Sequence, residues 1–304
     1  MSEAAEVERV YSAMEESARL LGIACSRDKV WPVLTAYADV LADAVIVFSM
    51  ASGSHATELD FSISMPPEHG DPYAIALRNG LTAKTDHPVS ALLSDTQECC
   101  PIGMFAIDGD VLGGFKKTYA FFPPDDLQPL SKLVDIPSMP PSVAENASLF
   151  ARYGLDKVQM TSVDYNSKTV NLYFGNLPAE FLEPEAILSM LREMGLQEPD
   201  KLGLEFAKRS FAVYPTLNWD SSKIERFCLA VITRDPTIVP ARGEVEIARF
   251  SKYANNTPYT YAERRTLVYG LTLSPSEEYY KLGSYFQISD YQRKLLKAFD
   301  SLKD

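Results

Sequence analysis

One order of helices and strands recurs five times along the chain, and it limits the possible folds more than any other feature. Helical segments lead into two segments of strand character that are joined by a short turn. The first strand of each unit begins near Val45, Ile102, Val158, Phe211 and Thr266. These starts lie 53 to 57 residues apart, which is a spacing typical of a repeated structural unit.

The periodicity of apolar residues predicts the individual elements. Helices are predicted at 4–22, 28–42, 71–79, 88–97, 126–133, 141–153, 183–195, 244–254 and 289–302, with a short helical turn at 202–207. Strands are predicted at 45–51, 57–65, 102–107, 115–122, 158–164, 169–174, 211–217, 226–233, 264–273 and 280–288. Turns rich in Gly, Ser, Asp or Asn are predicted at 52–54, 108–110 and 166–167.

Strand pairs joined by tight turns imply antiparallel pairing. Ten strands at an even spacing can close into a barrel, which leaves no strand edge unpaired. No linker rich in Pro or Gly interrupts the series, so one domain over residues 1–304 is predicted. The predicted fold is α+β, a closed ten-stranded antiparallel barrel ringed by helices and built from five ααββ repeats.

The strands alternate between apolar and polar side chains. In the predicted strand 57–65, Phe61 and Ile63 share one face, whereas Asp60 lies on the other. From the strands alone, the polar face could simply contact water, as in many antiparallel sheets. Because about two helices accompany each strand pair, we expect the apolar face to lie under the helices. The polar face would then line a closed interior that holds a ligand.

The predicted lining combines bases, amides and aromatic rings. Lys117, Arg226 and Lys281, with Asn171 and Tyr214, can neutralise a diphosphate and donate hydrogen bonds to it. One carboxylate among these bases, Asp60, suits a magnesium ion that also contacts phosphate oxygens. The rings that could stabilise a nearby carbocation are those of Tyr119, Tyr173, Tyr214 and Tyr285. This combination suits the ionisation of an allylic diphosphate.

Several sequence blocks carry a family resemblance. The blocks LDFSIS, MFAIDG, GGFKKTYAFFP, VNLYF, FAVYPTLNW and EEYYKLGSYF resemble the ABBA-type aromatic prenyltransferases, and the likeness runs along nearly the whole chain. It is strongest to a magnesium-dependent member that geranylates dihydroxynaphthalenes. The resemblance implies the barrel known as the PT barrel, in agreement with the repeat pattern.

The resemblance also implies roles for individual residues. It assigns the diphosphate to Lys117, Asn171, Tyr214, Arg226 and Lys281. It assigns magnesium to Asp60, supported through water by Ser49 and Asp108. It assigns the aromatic acceptor to Gln159, Tyr173, Phe211, Ala230, Val268, Leu271 and Tyr285. Tyr119 would stack near the prenyl chain, and Lys117, Tyr119 and Tyr214 would serve catalysis. Ala212 stands where that member has a serine, so the orientation of the acceptor does not transfer.

The predicted function is transfer of a geranyl, dimethylallyl or farnesyl group from its diphosphate to a carbon of a phenolic or dihydroxynaphthalene ring, assisted by Mg²⁺. Two other classes stay open. A non-catalytic barrel that carries a hydrophobic molecule would need the cavity but not Asp60, Lys117 and Arg226 together. A hydrolase that releases phosphate should contain a nucleophile or a richer metal cluster.

The net charge of -12 argues against nucleic acid as a partner, because such binding relies on basic patches. No apolar stretch approaches the ~20 residues of a membrane helix, so no membrane association is expected. Four cysteines lack the spacing of a secreted disulfide framework or a zinc site. We therefore expect a cytoplasmic protein, acting as a monomer on a prenyl diphosphate and a small aromatic acceptor.

Overall fold

The structure is a computed structural model that describes residues 2–236 and 243–289. Nine α-helices lie in these ranges. They are α1 (Glu3–Leu21), α2 (Arg27–Ala36), α3 (Pro72–Arg78), α4 (Leu92–Cys99), α5 (Leu130–Val134), α6 (Pro141–Arg152), α7 (Pro184–Glu193), α8 (Lys201–Ala207) and α9 (Glu244–Asn256). The predicted closing helix 289–302 lies, except for its first residue, outside the described ranges.

The ends of the helices follow from local sequence. Ser2 caps α1 because its hydroxyl accepts a hydrogen bond from the backbone N–H of Ala5. Gly22 ends the same helix with φ 69°, a left-handed conformation that favours glycine. A proline occupies the first turn of α3, α6 and α7, where its missing N–H has no helical partner to lose.

Eleven strands form one sheet in the described part of the chain. They are β1 (Ile46–Ala51), β2 (Leu59–Met65), β3 (Met104–Asp110), β4 (Gly114–Phe121), β5 (Gln128–Pro129), β6 (Lys157–Asp164), β7 (Thr169–Gly175), β8 (Ala212–Asn218), β9 (Arg226–Thr233), β10 (Leu267–Leu273) and β11 (Glu278–Gln287). Several predicted boundaries are wrong, and α2, for example, ends at Ala36 rather than at residue 42. The turn placed at 108–110 belongs to β3, and the helix placed at 126–133 begins only at Leu130, because β5 precedes it.

The sheet closes on itself. Its strands follow the order β4-β3-β2-β1-β11-β10-β9-β8-β7-β6, and β4 pairs with β6 to complete a ring of ten. Every pairing between neighbours is antiparallel. The two-residue strand β5 pairs only with β6 and lies outside the ring. The predicted closed ten-stranded antiparallel barrel is thereby confirmed.

The hydrophobic core lies between the outer face of the barrel and the helices. Phe61, Leu172 and Leu229 point outward and are fully buried there, as their alternation with polar neighbours predicted. Each such side chain contributes about 1.5–3 kcal/mol through burial. The polar side chains of the same strands consequently point into the barrel. Within the described residues, no helix is long and apolar enough to cross a membrane.

One irregularity in the barrel wall matters for the interior. The register of β3 against β4 shifts, so that Asp108 pairs with Lys117 while Gly109 pairs with Phe115. Lys116 is the extra residue of a β-bulge, which locally breaks the alternation of side chains. The Lys116 ammonium therefore reaches Asp60, whose side chain points inward, at 3.0 Å.

Candidate active site

The barrel encloses a cavity of about 550 Å³, which is within the range of small-molecule sites. All but one of the predicted site residues line it. They are Ser49, Asp60, Asp108, Lys117, Tyr119, Gln159, Asn171, Tyr173, Phe211, Ala212, Tyr214, Arg226, Ala230, Val268, Lys281 and Tyr285. The polar face predicted from the strands is thus the inner wall of the barrel.

Leu271 is the exception. Its neighbours Gly270 and Thr272 line the cavity, whereas Leu271 is fully buried in the outer core. Its Cδ2 atom lies 3.5 Å from the position that a Cβ on Gly203 of α8 would take. Because consecutive strand residues point to opposite faces, Leu271 cannot share the interior with both neighbours. The prediction that Leu271 contacts the acceptor is therefore corrected.

Three cations meet at one part of the cavity wall. Burial and the nearby charge of Lys281 lower the pKa of Lys117. Burial and the charge of Arg226 lower the pKa of Lys281, although the charge of Asp60 opposes this shift. Lys117 forms an ion pair with Asp164 at 3.4 Å. Like charges held together in a buried site favour the binding of an anion.

Unsatisfied polar atoms lie beside these cations. Asn171 on β7 and Thr216 on β8 are register partners, and Thr216 also pairs with Arg226 on β9. Among the described residues, neither Asn171 Oδ1 nor Thr216 Oγ1 has a hydrogen-bond partner, although both are buried. The Asn171 amide donates to the hydroxyl of Tyr173 at 3.3 Å. Buried polar atoms without partners are expected where a polar ligand binds.

Two carboxylates face the cavity from neighbouring strands. Asp108 accepts hydrogen bonds from the hydroxyls of Ser62 at 2.9 Å and Tyr119 at 3.3 Å. Burial and the charge of Asp60 raise the pKa of Asp108 to about 6, although Lys117 and Lys116 oppose the shift. Ser49 lies opposite Asp60 in the pairing of β1 with β2. Asp108 is therefore a buried carboxylate whose charge the nearby lysines do not fully compensate.

Reasoning from the sequence missed two charged residues at this site. Lys116 donates to both oxygens of Asp60, at 3.0 and 3.1 Å, and Asp164 pairs with Lys117. Simple alternation would place Lys116 on the face opposite Lys117, and the β-bulge that overrides this alternation has no reliable signature in the sequence. Asp164 ends the predicted strand 158–164, so its inward orientation depends on the register with β4.

Tyrosine rings form a row along the cavity. The rings of Tyr119 and Tyr173 have centroids 6.3 Å apart, and those of Tyr173 and Tyr214 are 4.3 Å apart. Burial raises the pKa of Tyr173 to about 12 and raises the pKa of Tyr119 and Tyr214 well above the usual value. The phenols stay neutral at physiological pH, and their faces can stabilise a carbocation.

The remainder of the predicted lining is mostly apolar. Phe211, Ala212, Ala230 and Val268 contribute to it, and Gln159 adds an amide. The Gln159 amide lies where a Cβ on Gly175 would stand, so a larger residue there would displace it. Such a surface suits a flat aromatic molecule that makes a few hydrogen bonds.

The carboxylate pair provides the hard oxygen donors that magnesium prefers. In the described ranges, no group of three or more His, Cys, Asp or Glu residues could hold a metal ion. Magnesium commonly combines one or two protein carboxylates with substrate phosphates and water. Burial and the charge of Asp60 raise the pKa of Asp108, so a further cation beside this carboxylate would be favoured. Asp60 and Asp108 therefore fit a magnesium ion that binds together with a diphosphate.

Comparison with known proteins identifies relatives along the whole chain. The family model of aromatic prenyltransferase Orf2 matches residues 5–299. The 5,10-dihydrophenazine-1-carboxylate 9-dimethylallyltransferase of Streptomyces anulatus is 47% identical, over 98% of this chain and 99% of its own. Flaviolin linalyltransferase of Streptomyces virginiae is 44% identical over 94% of each chain. The furaquinocin biosynthesis prenyltransferase of Streptomyces sp. (strain KO-3988) is 44% identical, over 99% of this chain and 96% of its own.

Proposed function

This chain belongs to the Orf2 family of aromatic prenyltransferases, and we propose that it transfers a geranyl group from geranyl diphosphate to a carbon of a phenolic or dihydroxynaphthalene ring with the help of Mg²⁺. One observation carries the proposal. The cations Lys117, Arg226 and Lys281 share the barrel cavity with the row of tyrosine rings. A diphosphate and a carbocation therefore find complementary surfaces in one place.

The donor would bind with its diphosphate against the three cations. Asn171 and the hydroxyl of Tyr214 would add hydrogen bonds. Magnesium held by Asp60, with Ser49 and Asp108 supporting through water, would supply further positive charge to the diphosphate. Stabilisation of the departing anion is the largest contribution that the site can make to the rate.

The reaction would proceed as an electrophilic aromatic substitution. The bond between the allylic carbon and the diphosphate oxygen breaks, and its electron pair stays with the diphosphate. The allylic cation is stabilised by the rings of Tyr119, Tyr173 and Tyr214. A ring carbon of the acceptor attacks the cation, and the displaced ring proton leaves to water. Holding the two substrates in register supplies the remaining acceleration.

The choice of substrates rests partly on the relatives. Their names give a dihydrophenazine carboxylate and flaviolin as acceptors, and dimethylallyl and linalyl as transferred groups. We propose a polycyclic or phenolic acceptor bound by Gln159, Phe211, Ala230, Val268 and Tyr285. Because Ala212 has no hydroxyl, it does not help to orient the acceptor. Dimethylallyl and farnesyl diphosphates are the alternative donors.

We further propose one domain over residues 1–304 that acts as a cytoplasmic monomer without nucleic-acid or membrane partners. One chain contributes all the proposed site residues, and the net charge is -12. The four cysteines are free thiols, which suits a reducing compartment. Size-exclusion chromatography with light scattering tests the monomer, and a dimer would overturn it. A non-catalytic barrel that carries a hydrophobic molecule is disfavoured, because such a ligand would not interact with the buried cations.

Replacement of Asp60 tests the metal role. With geranyl diphosphate and 1,6-dihydroxynaphthalene as substrates, Asp60→Asn should lose the stimulation of turnover by magnesium. Asp43→Asn is the matched control, because Asp43 lies exposed in a turn outside the cavity. Unchanged magnesium stimulation in Asp60→Asn would overturn the assignment of Asp60 as the metal ligand.

A further inference from the structure

Lys116 forms an ion pair with Asp60, the carboxylate to which the magnesium ion is assigned. Its ammonium donates to both oxygens of Asp60, at 3.1 and 3.0 Å. Both side chains are largely buried, with 21% of Lys116 and 14% of Asp60 exposed. Lys116 therefore takes up both oxygens of Asp60.

The β-bulge at Lys116 allows its ammonium to contact Asp60. Lys117, the next residue, lines the main cavity, and regular alternation would turn Lys116 away from it. Lys116 also lines a second cavity of about 300 Å³, with Glu58 and Asp110 among its other walls. Two further carboxylates thus share this cavity with Lys116, although Glu58 also pairs with His55 and Asp110 also accepts from the backbone N–H groups of Leu112 and Gly113. An ammonium displaced from Asp60 would remain near these carboxylates.

We propose that Lys116 is an internal competitor for the metal position on Asp60, a positioning residue that keeps this carboxylate compensated until diphosphate and metal bind together. The inference rests on the proposed metal site. Because a cation must displace the ammonium from Asp60, the enzyme alone binds magnesium weakly. A bound diphosphate adds oxygen donors for the metal and anionic charge near the lysine, so it favours the exchange.

Metal affinity measured without catalysis tests this role. The full-length protein is stripped with EDTA and titrated with Mn²⁺, a magnesium substitute whose free concentration is read by electron paramagnetic resonance. Lys116→Met should lower the Mn²⁺ Kd at least about tenfold relative to the wild type. Lys116→Arg is the matched control. It keeps a charge able to bond both oxygens of Asp60 and should bind Mn²⁺ like the wild type.

Inorganic pyrophosphate provides the second measurement. In the wild type it should strengthen Mn²⁺ binding, and in Lys116→Met this strengthening should shrink, because the competitor is already absent. Lys116→Gln repeats the test with a polar uncharged side chain. Thermal melts establish that each variant is folded.

The outcomes separate the inference from the proposed function. If Lys116→Met and Lys116→Gln bind Mn²⁺ no more tightly than the wild type while Asp60→Asn loses binding, the competitor role is overturned and the metal site stands. If Asp60→Asn binds Mn²⁺ as tightly as the wild type, the metal site itself fails and the inference fails with it. Tighter binding in both uncharged variants, abolished when Asp60→Asn is added, supports the proposal.

Discussion

Asp108→Asn should stabilise the folded protein at neutral pH. Asp108 is 4% exposed, and burial together with the charge of Asp60 raises its pKa from 3.8 to about 6. One pKa unit corresponds to 1.36 kcal/mol, so the ionised carboxylate costs the folded state about 3 kcal/mol above pH 6. Asparagine has the same shape, and its Oδ1 can still accept a hydrogen bond from Ser62 or Tyr119.

The sign of the pH dependence follows from the same shift. A carboxyl group with a raised pKa in the folded state binds its proton there more tightly than in the unfolded chain. Its destabilising effect is absent below pH 3.8, grows as the pH rises towards 6, and is constant above. The advantage of Asp108→Asn should therefore be about 2 kcal/mol larger at pH 7.5 than at pH 4.5.

Urea unfolding measures this difference. Wild type and Asp108→Asn are compared at both pH values with EDTA present, so that metal binding does not contribute. Comparing the two proteins at each pH cancels the titration of every other carboxylate that the substitution leaves undisturbed. An advantage that is the same at both pH values, or a destabilised variant at pH 7.5, would refute the reasoning.

Four further predictions follow from the site. Lys281→Ala should raise the KM for geranyl diphosphate at least about tenfold, because a charged hydrogen bond contributes about 1.5–3 kcal/mol, while the Tm does not fall; an unchanged KM would contradict the assignment. Leu271→Ala should lower the free energy of unfolding in urea by about 2–5 kcal/mol and leave the KM for the acceptor unchanged. Ala212→Ser should change the ring position at which the acceptor is prenylated, without changing the stability of the protein. Finally, the affinity for pyrophosphate, measured by calorimetry without metal, should fall with rising pH at values below those at which an ordinary lysine loses its proton. The reason is that burial lowers the pKa of Lys117 and Lys281. An affinity that stays constant up to about pH 10 would contradict this prediction.

Much of the barrel was predictable because its signal is local and repeated. Each strand alternates in polarity with a period of two, as at Phe61 and Asp60, and each is followed by a turn or a helix. Closure followed from an even strand count and from the cost of unpaired edges. The inward orientation of Lys117, Arg226 and Lys281 followed from the same alternation.

The two details that failed have different causes. The contact of Lys116 with Asp60 requires a bulge, which is a property of the register of β3 against β4 rather than of either strand alone. Leu271 failed for the opposite reason. Its alternation with Thr272 places it outward, whereas the family resemblance assigns it to the acceptor pocket.

Product formation tests the central claim most directly. The purified protein is incubated with geranyl diphosphate and 1,6-dihydroxynaphthalene, with magnesium or with EDTA, and the mixture is analysed by mass spectrometry. We expect a C-geranylated product that depends on magnesium. If product forms equally well in EDTA, the protein is still a prenyltransferase, but Asp60 is not a metal ligand. Absence of product with geranyl, dimethylallyl and farnesyl diphosphates across several phenolic acceptors would contradict the proposed reaction.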